Sequence, residues 1–130
     1  MSCIRHHFFC FAALAAFATG ASAQAGGNAD RGSSLFASDC SECHSVREGK
    51  DKKGPSLYGI YGAKAGQRPG FKYSETMLNS QIVWDAEKLS SYLANPRAVV
   101  PNGKMKPEAA VSDARERADL IAFLATQGHR

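Results

Sequence analysis

The chain has no apolar run long enough to cross a bilayer. The longest, Phe8 to Ala18, is about half of the roughly 20 residues a spanning helix needs. It also lacks any excess of charge: 22% of its 130 residues are charged and the formal net charge is +4. Nucleic-acid-binding domains cluster basic residues more heavily, so no nucleic-acid partner is expected. With 12 Gly and 5 Pro, the composition is neither collagenous nor low-complexity. Alternating apolar and polar stretches of strand type are scarce, which places the chain in the all-α class. No internal repeat is visible, and the length fits one domain.

The first residues read as a secretory leader. Met1–His7, with Arg5, forms a short basic start before the apolar run. Thr19-Gly20 breaks the run, and Ala21-Ser22-Ala23 has the small-x-small pattern of a cleavage site. The bulky His7-Phe8-Phe9 before Cys10 argues against a lipid anchor there. Segment 1–23 is therefore expected to be a cleaved signal peptide and 24–130 the mature domain. Cys3, Cys10, His6 and His7 leave with the leader. Cys40, Cys43, His44 and His129 remain.

Three main helices and long loops are expected in the mature part. Asn28 can cap a helix running to about Asp39, with Leu35 and Phe36 as apolar contacts and Gly32 inside it. A glycine there costs about 1 kcal/mol relative to alanine and points to a close neighbour. Asp85 can cap a second helix carrying Leu89, Tyr92 and Leu93, ended by Asn95-Pro96. Ser112 or Asp113 can start the last, with Leu120, Ile121 and Leu124 on one stripe, the Arg117 stem at its edge and Gly128 as a stop. From Arg47 to Ser80 turn signals dominate, and Pro101 to Pro107 reads as loop. So long an irregular stretch in so small a core calls for a staple or a large prosthetic group.

Cys40-Ser41-Glu42-Cys43-His44 supplies one, as the Cys-x-x-Cys-His pattern of covalent c-type haem attachment. Thiols three positions apart reach the two vinyl groups on one porphyrin edge, and the adjacent histidine falls beneath the ring to ligate iron. A thioredoxin-like pair would need a βαβ context, zinc would need four good ligands, and a plain disulfide leaves His44 unexplained. The second axial ligand has three protein candidates, Met77, Met105 and His129, besides water or an open position. Met105 sits in the loop Pro101–Met105, which can fold over the face opposite His44. Met77 lies just before a helix in an apolar setting and reads as core filler. His129, penultimate in the chain, reads as a solvated residue.

From about Gly27 to Gln127 the sequence resembles class I cytochrome c, the small soluble type of bacteria and mitochondria. The resemblance rests on Cys40–His44, Lys53-Gly54-Pro55-Ser56-Leu57, Gly66–Phe71, Trp84–Pro96, Pro101–Met105 and Asp119–Leu124, in the family order. It implies thioethers at Cys40 and Cys43, with His44 and Met105 as axial ligands of one haem c iron. It implies that the Pro55 carbonyl orients His44, that Tyr73 and Trp84 serve a haem propionate, and that the Tyr92 hydroxyl sits near the methionine sulfur. Gly32 and Phe36 would meet Leu120 and Phe123 where the terminal helices cross. Ala63, Gly103 and Met77 depart from the family, which often has arginine, threonine and asparagine there. Arg68 is the nearby candidate to replace the missing arginine.

Between His44 and Lys106 there are 11 basic and 5 acidic residues. Lys50, Lys52, Lys53, Arg68, Lys72, Arg97, Lys104 and Lys106 flank the haem-bearing segments, a rim suited to redox proteins with acidic docking surfaces, while Asp39, Glu42 and Glu48 near the attachment site leave an ordinary solvated surface as the other reading. The expected function is a monomeric, periplasmic single-electron carrier between reductase and oxidase complexes, not an enzyme. The alternative is a haem enzyme or gas or peroxide sensor in which Met105 dissociates.

Overall fold

The computed structural model describes residues 26–128. The leader 1–23, the new amino terminus at Gln24 and His129 lie outside the described residues. Helix α1 spans Ala29–Leu35, and the Asn28 side chain accepts from the Arg31 amide at 2.8 Å. The helix then widens into a π-helical turn, Phe36–Cys40, where the Ser41 amide reaches the Phe36 carbonyl at 2.9 Å. This turn delivers Cys40 at the end of the helix rather than in a following loop.

Two of the five α-helices among the described residues were not expected. Helix α2, Glu75–Asn79, is capped by Ser74, whose Oγ accepts from the Met77 amide at 3.2 Å. Met77 thus lies inside a helix, not just before one. Helix α3, Ala86–Ala94, is capped by Asp85 as expected. Asn95 ends it and immediately caps α4, Pro96–Val99, with Pro96 as the first helical residue. A 3₁₀ turn follows at Pro107–Ala109, within and just past the expected loop. Helix α5, Ala114–Thr126, is capped by Asp113. The extra helices have only five and four residues, too short to show a periodic apolar face.

Among the described residues the only sheet-like pairing is one antiparallel bridge, Lys64 to Val83. The all-α class stands. The bridge is extended by Ala65 N–H to the Ile82 carbonyl at 2.8 Å and by Gly62 N–H to the Trp84 carbonyl at 2.9 Å. The chain's own bonds therefore order part of the long loop region.

Helix α5 lies between two apolar clusters. Ile121 joins Ala65, Trp84 and Leu89 on one side, while Leu120 and Leu124 join Phe36 on the other. The second cluster is where α1 crosses α5. A Cβ on Gly32 would fall 2.0 Å from the Asp119 carbonyl oxygen and 2.8 Å from the Phe123 Cβ, and one on Gly27 would fall 1.9 Å from the Ala118 oxygen. Backbone packs on backbone here, so both positions need glycine. The Phe36 and Phe123 rings sit 5.5 Å apart. The expected crossing is present, with the Asp119 backbone rather than Leu120 closest to Gly32.

The crossing carries a charge that the apolar stripe does not announce. Asp119 has 3% of its side chain exposed and receives Arg31 Nε at 2.7 Å, Arg31 Nη2 at 3.0 Å and the Asn28 amide at 2.6 Å. The Arg31 guanidinium, then the Asn28 amide, hold its carboxyl below the usual carboxylate range. Arg117 is likewise more than a cover for the stripe. It donates to the Val111 and Ser112 carbonyls at 2.8 and 2.7 Å and to Ser90 Oγ at 3.3 Å, tying α5 to the loop before it and to α3.

Candidate haem site

The site begins at the π-helical turn. Past Cys40 the chain curls once more, with the Cys43 and His44 amides both donating to the Cys40 carbonyl at 3.1 and 2.9 Å. Cys40 is half-buried and Cys43 exposed. Burial, with smaller contributions from Asp39 and Cys43, pushes the Cys40 thiol up to about 11, so it remains a thiol at neutral pH.

His44 is held from two sides. Its Nδ1 lies 2.7 Å from the Pro55 carbonyl, and because a carbonyl only accepts, Nδ1 carries the proton and Nε2 is the nitrogen left to coordinate. A Cβ on Gly54 would lie 2.3 Å from the ring's Cε1, so the imidazole packs directly against this glycine's backbone. Burial pushes His44 down toward the neutral form that a metal requires, against a smaller opposing pull from the Pro55 carbonyl. The supporting loop is closed by Gly54 N–H to the Cys43 carbonyl at 2.8 Å and Leu57 N–H to the Ser45 carbonyl at 2.8 Å. Fully buried Ser56 completes it, donating to the Arg47 carbonyl at 2.6 Å while its own amide donates to Asp51 at 2.8 Å.

Met105 stands on a separate segment and is half-buried. Its loop turns at Asn102, which has φ 59°, and at buried Gly103, whose amide donates to the Val100 carbonyl at 3.0 Å. Lys104 Nζ donates to the Lys72 carbonyl at 2.5 Å, tying the Met105 loop to the segment of Tyr73. Tyr73 packs edge-on against Phe71 at 4.8 Å, and Trp84 packs against Tyr92 at 4.9 Å. Burial raises both tyrosine hydroxyls above their usual range, keeping them as hydrogen-bond donors. Met77 packs on the cluster containing Trp84, in the filler role expected of it. Arg68 spends Nη2 on the Tyr58 carbonyl at 2.6 Å. An open hollow between α2 and α3, lined by Glu75, Asn79, Ile82 and Lys88, contains none of these residues.

Residues 29–128 match the cytochrome c family. A cytochrome c of Euglena viridis is 42% identical over 100 residues, covering 77% of this chain and 97% of the relative. A cytochrome c2 of Rhodomicrobium vannielii is 46% identical over 114 residues, covering 87% and 90%. A cytochrome c2 of Rhodopila globiformis is 41% identical over 100 residues, covering 77% and 93%. The chain belongs to the cytochrome c family.

The family's cofactor is haem c, covalently bound and containing iron. This chain's residues fit it. Two thiols leave one turn, burial favours the neutral form of the imidazole beside them while Pro55 directs its proton to Nδ1, and Gly54 leaves room for that ring. Among the described residues no group of three or more His, Cys, Asp or Glu side chains is placed to hold a bare metal ion.

The expected residues fall into three local units. Cys40, Cys43, His44 and Pro55 form one, Trp84 and Tyr92 a second, and Met105 with Tyr73 a third, joined through Lys104 and Lys72. Sequence reasoning had Gly54 as a turn signal and as part of the Lys53–Leu57 stretch of the resemblance, and overlooked its contact with His44. It also missed Ser56 and the Asp119–Arg31 pair. Asp119, a carboxylate directly beside Leu120 on the α5 stripe, was the available signal for the pair.

Proposed function

We propose that the chain is exported, loses residues 1–23 and works in the bacterial periplasm as a single-electron carrier. In this reading Cys40 and Cys43 hold one haem through thioethers, and His44 and Met105 are the axial ligands. The haem supplies a one-electron ferrous/ferric couple. The chain's own residues keep that couple simple. Pro55 and Gly54 fix the His44 ring, and the Lys104–Lys72 tie holds the Met105 loop, so neither ligand segment has to move as charge changes. Tyr73 and Trp84 would donate to a propionate, and Tyr92 would lie near the methionine sulfur. The chain itself catalyses no bond-making step in this reading.

The observation that carries this reading is the His44–Pro55 bond, a donor-orienting contact in a chain whose described residues contain no second histidine for acid–base work. The proposed partners are redox proteins with acidic docking surfaces, met as a monomer in brief encounters. Among the described residues no helix is long and apolar enough to cross a membrane. No nucleic-acid partner is proposed.

The test is the spectrum of the reduced, exported protein with and without carbon monoxide. An unchanged spectrum, joined by rapid carbon monoxide binding in Met105→Ala, is the expected result. Stoichiometric binding by the unaltered protein would overturn the carrier reading in favour of a sensor or enzyme. The mass of the same sample should match a chain beginning at Gln24 plus one haem.

A further inference from the structure

The lysines around the attachment turn are not equally available. Lys52 Nζ donates to the Ser41 carbonyl and Lys104 Nζ to the Lys72 carbonyl, contacts that leave the ammonium charge unopposed. Lys53 differs, because it is paired with the Glu42 carboxylate. Glu42 is the residue just before Cys43, so an acid stands inside the haem-attachment motif itself. Lys53 also holds the Glu42 carboxyl below its usual range, and Lys106, the residue after Met105, adds a weaker pull in the same direction. Glu42 therefore has one cation of the attachment loop, Lys53, in direct contact and a second, Lys106 beside Met105, close enough to act on its charge.

Both side chains are exposed, 67% for Lys53 and 79% for Glu42. Exposed pairs of this kind contribute little to stability and are easily exchanged. Their effect on the local field is larger, because a carboxylate paired with a lysine lowers the positive potential that an approaching anion meets there. Lys50 and Lys52 share the attachment loop with Lys53, and Lys104 and Lys106 flank Met105.

We propose that Glu42 is a specificity-determining residue of the docking face, occupying Lys53 as a stand-in for a partner's carboxylate. An acidic redox protein docks by displacing Glu42 from Lys53, and anions that cannot make that exchange are drawn to this edge less strongly. The proposal rests on the electron-carrier reading and assigns that reading's docking face one residue that restrains encounter rather than promotes it.

The experiment follows oxidation of the reduced, haem-loaded protein in stopped flow at low ionic strength. The two oxidants are anionic ferricyanide and cationic tris(phenanthroline)cobalt(III). Glu42→Gln should speed the anionic reaction about threefold and slow the cationic one, with a steeper salt dependence for ferricyanide. Glu116→Gln on α5 makes the same change in net charge away from the motif and should have a clearly smaller effect. Lys53→Gln should slow the ferricyanide reaction more in the Glu42→Gln background than alone, because the lysine is then unmasked. Equal effects of Glu42→Gln and Glu116→Gln would overturn the proposal, since net charge alone would explain them. A Glu42→Gln change of the same sign with both oxidants would overturn it too, pointing to an altered potential. A wild-type protein that reacts with neither oxidant would sink the carrier reading and the proposal with it.

Discussion

The crossing of α1 and α5 and the attachment loop beneath His44 both use glycine to bring groups into contact, yet they are built differently. At the crossing, Gly27 and Gly32 let backbone meet backbone, and Phe36, Leu120 and Leu124 seal the contact with apolar area. At the attachment loop, Gly54 lets backbone meet a side-chain ring, and the surrounding order comes from hydrogen bonds to carbonyls of irregular chain. The first region has no chemistry to perform and is packed for stability. The second positions one nitrogen, so its contacts govern orientation more than free energy. Equal steric demands at two glycines thus serve different ends.

Substitutions at the two glycines should separate these roles. The largest effect is expected from Gly32→Val, whose branched side chain would drive α1 away from the Asp119 backbone. It should cost about 3 kcal/mol in a denaturant titration, at the upper end for overpacking, with the spectrum of the remaining native protein unchanged. Gly54→Ala should cost less, about 1–2 kcal/mol. It should, however, tilt His44, weaken the Pro55 bond and shift both the reduction potential and the His44 ring resonances. If Gly54→Ala moved stability alone, the positioning role assigned to that loop would be wrong.

The smallest effect, and the one tied to pH, belongs to Asp119. Its carboxyl is held below the usual range by Arg31 and the Asn28 amide. A depressed folded-state value stabilises the fold at pH above the ordinary carboxylate value of about 3.9. That contribution fades as pH falls through the folded value. Asp119→Asn should therefore lower the unfolding temperature near neutrality, and its difference from wild type should shrink in acid. A difference that is constant from pH 7 to pH 3 would show that shape, not charge, is what Asp119 contributes to the crossing.

Much of this was legible residue by residue. The caps at Asn28 and Asp85 and the stop at Asn95-Pro96 are local rules, satisfied within a few residues, and each is where the sequence places it, while Asp113 is one of the two starts it offers for the last helix. The spacing of Cys40, Cys43 and His44 is equally local, since thiol separation along one turn needs no tertiary information. Short α2 and α4 escaped because a single turn has a cap but no period, and Asn95 acts as both stop and start.

The sequence by itself therefore determined the helical class, the main helix starts and the Cys-x-x-Cys-His spacing, all of which depend on neighbours in the chain. Tertiary structure decided what Gly54 accommodates, which carbonyl receives Lys104 and why a carboxylate is buried at Asp119. Arg31 and Asp119 are 88 positions apart, and Lys104 and Lys72 are 32 apart. Such partners are chosen by which backbone groups the packed helices leave within reach, and no periodicity or spacing along the chain encodes that choice.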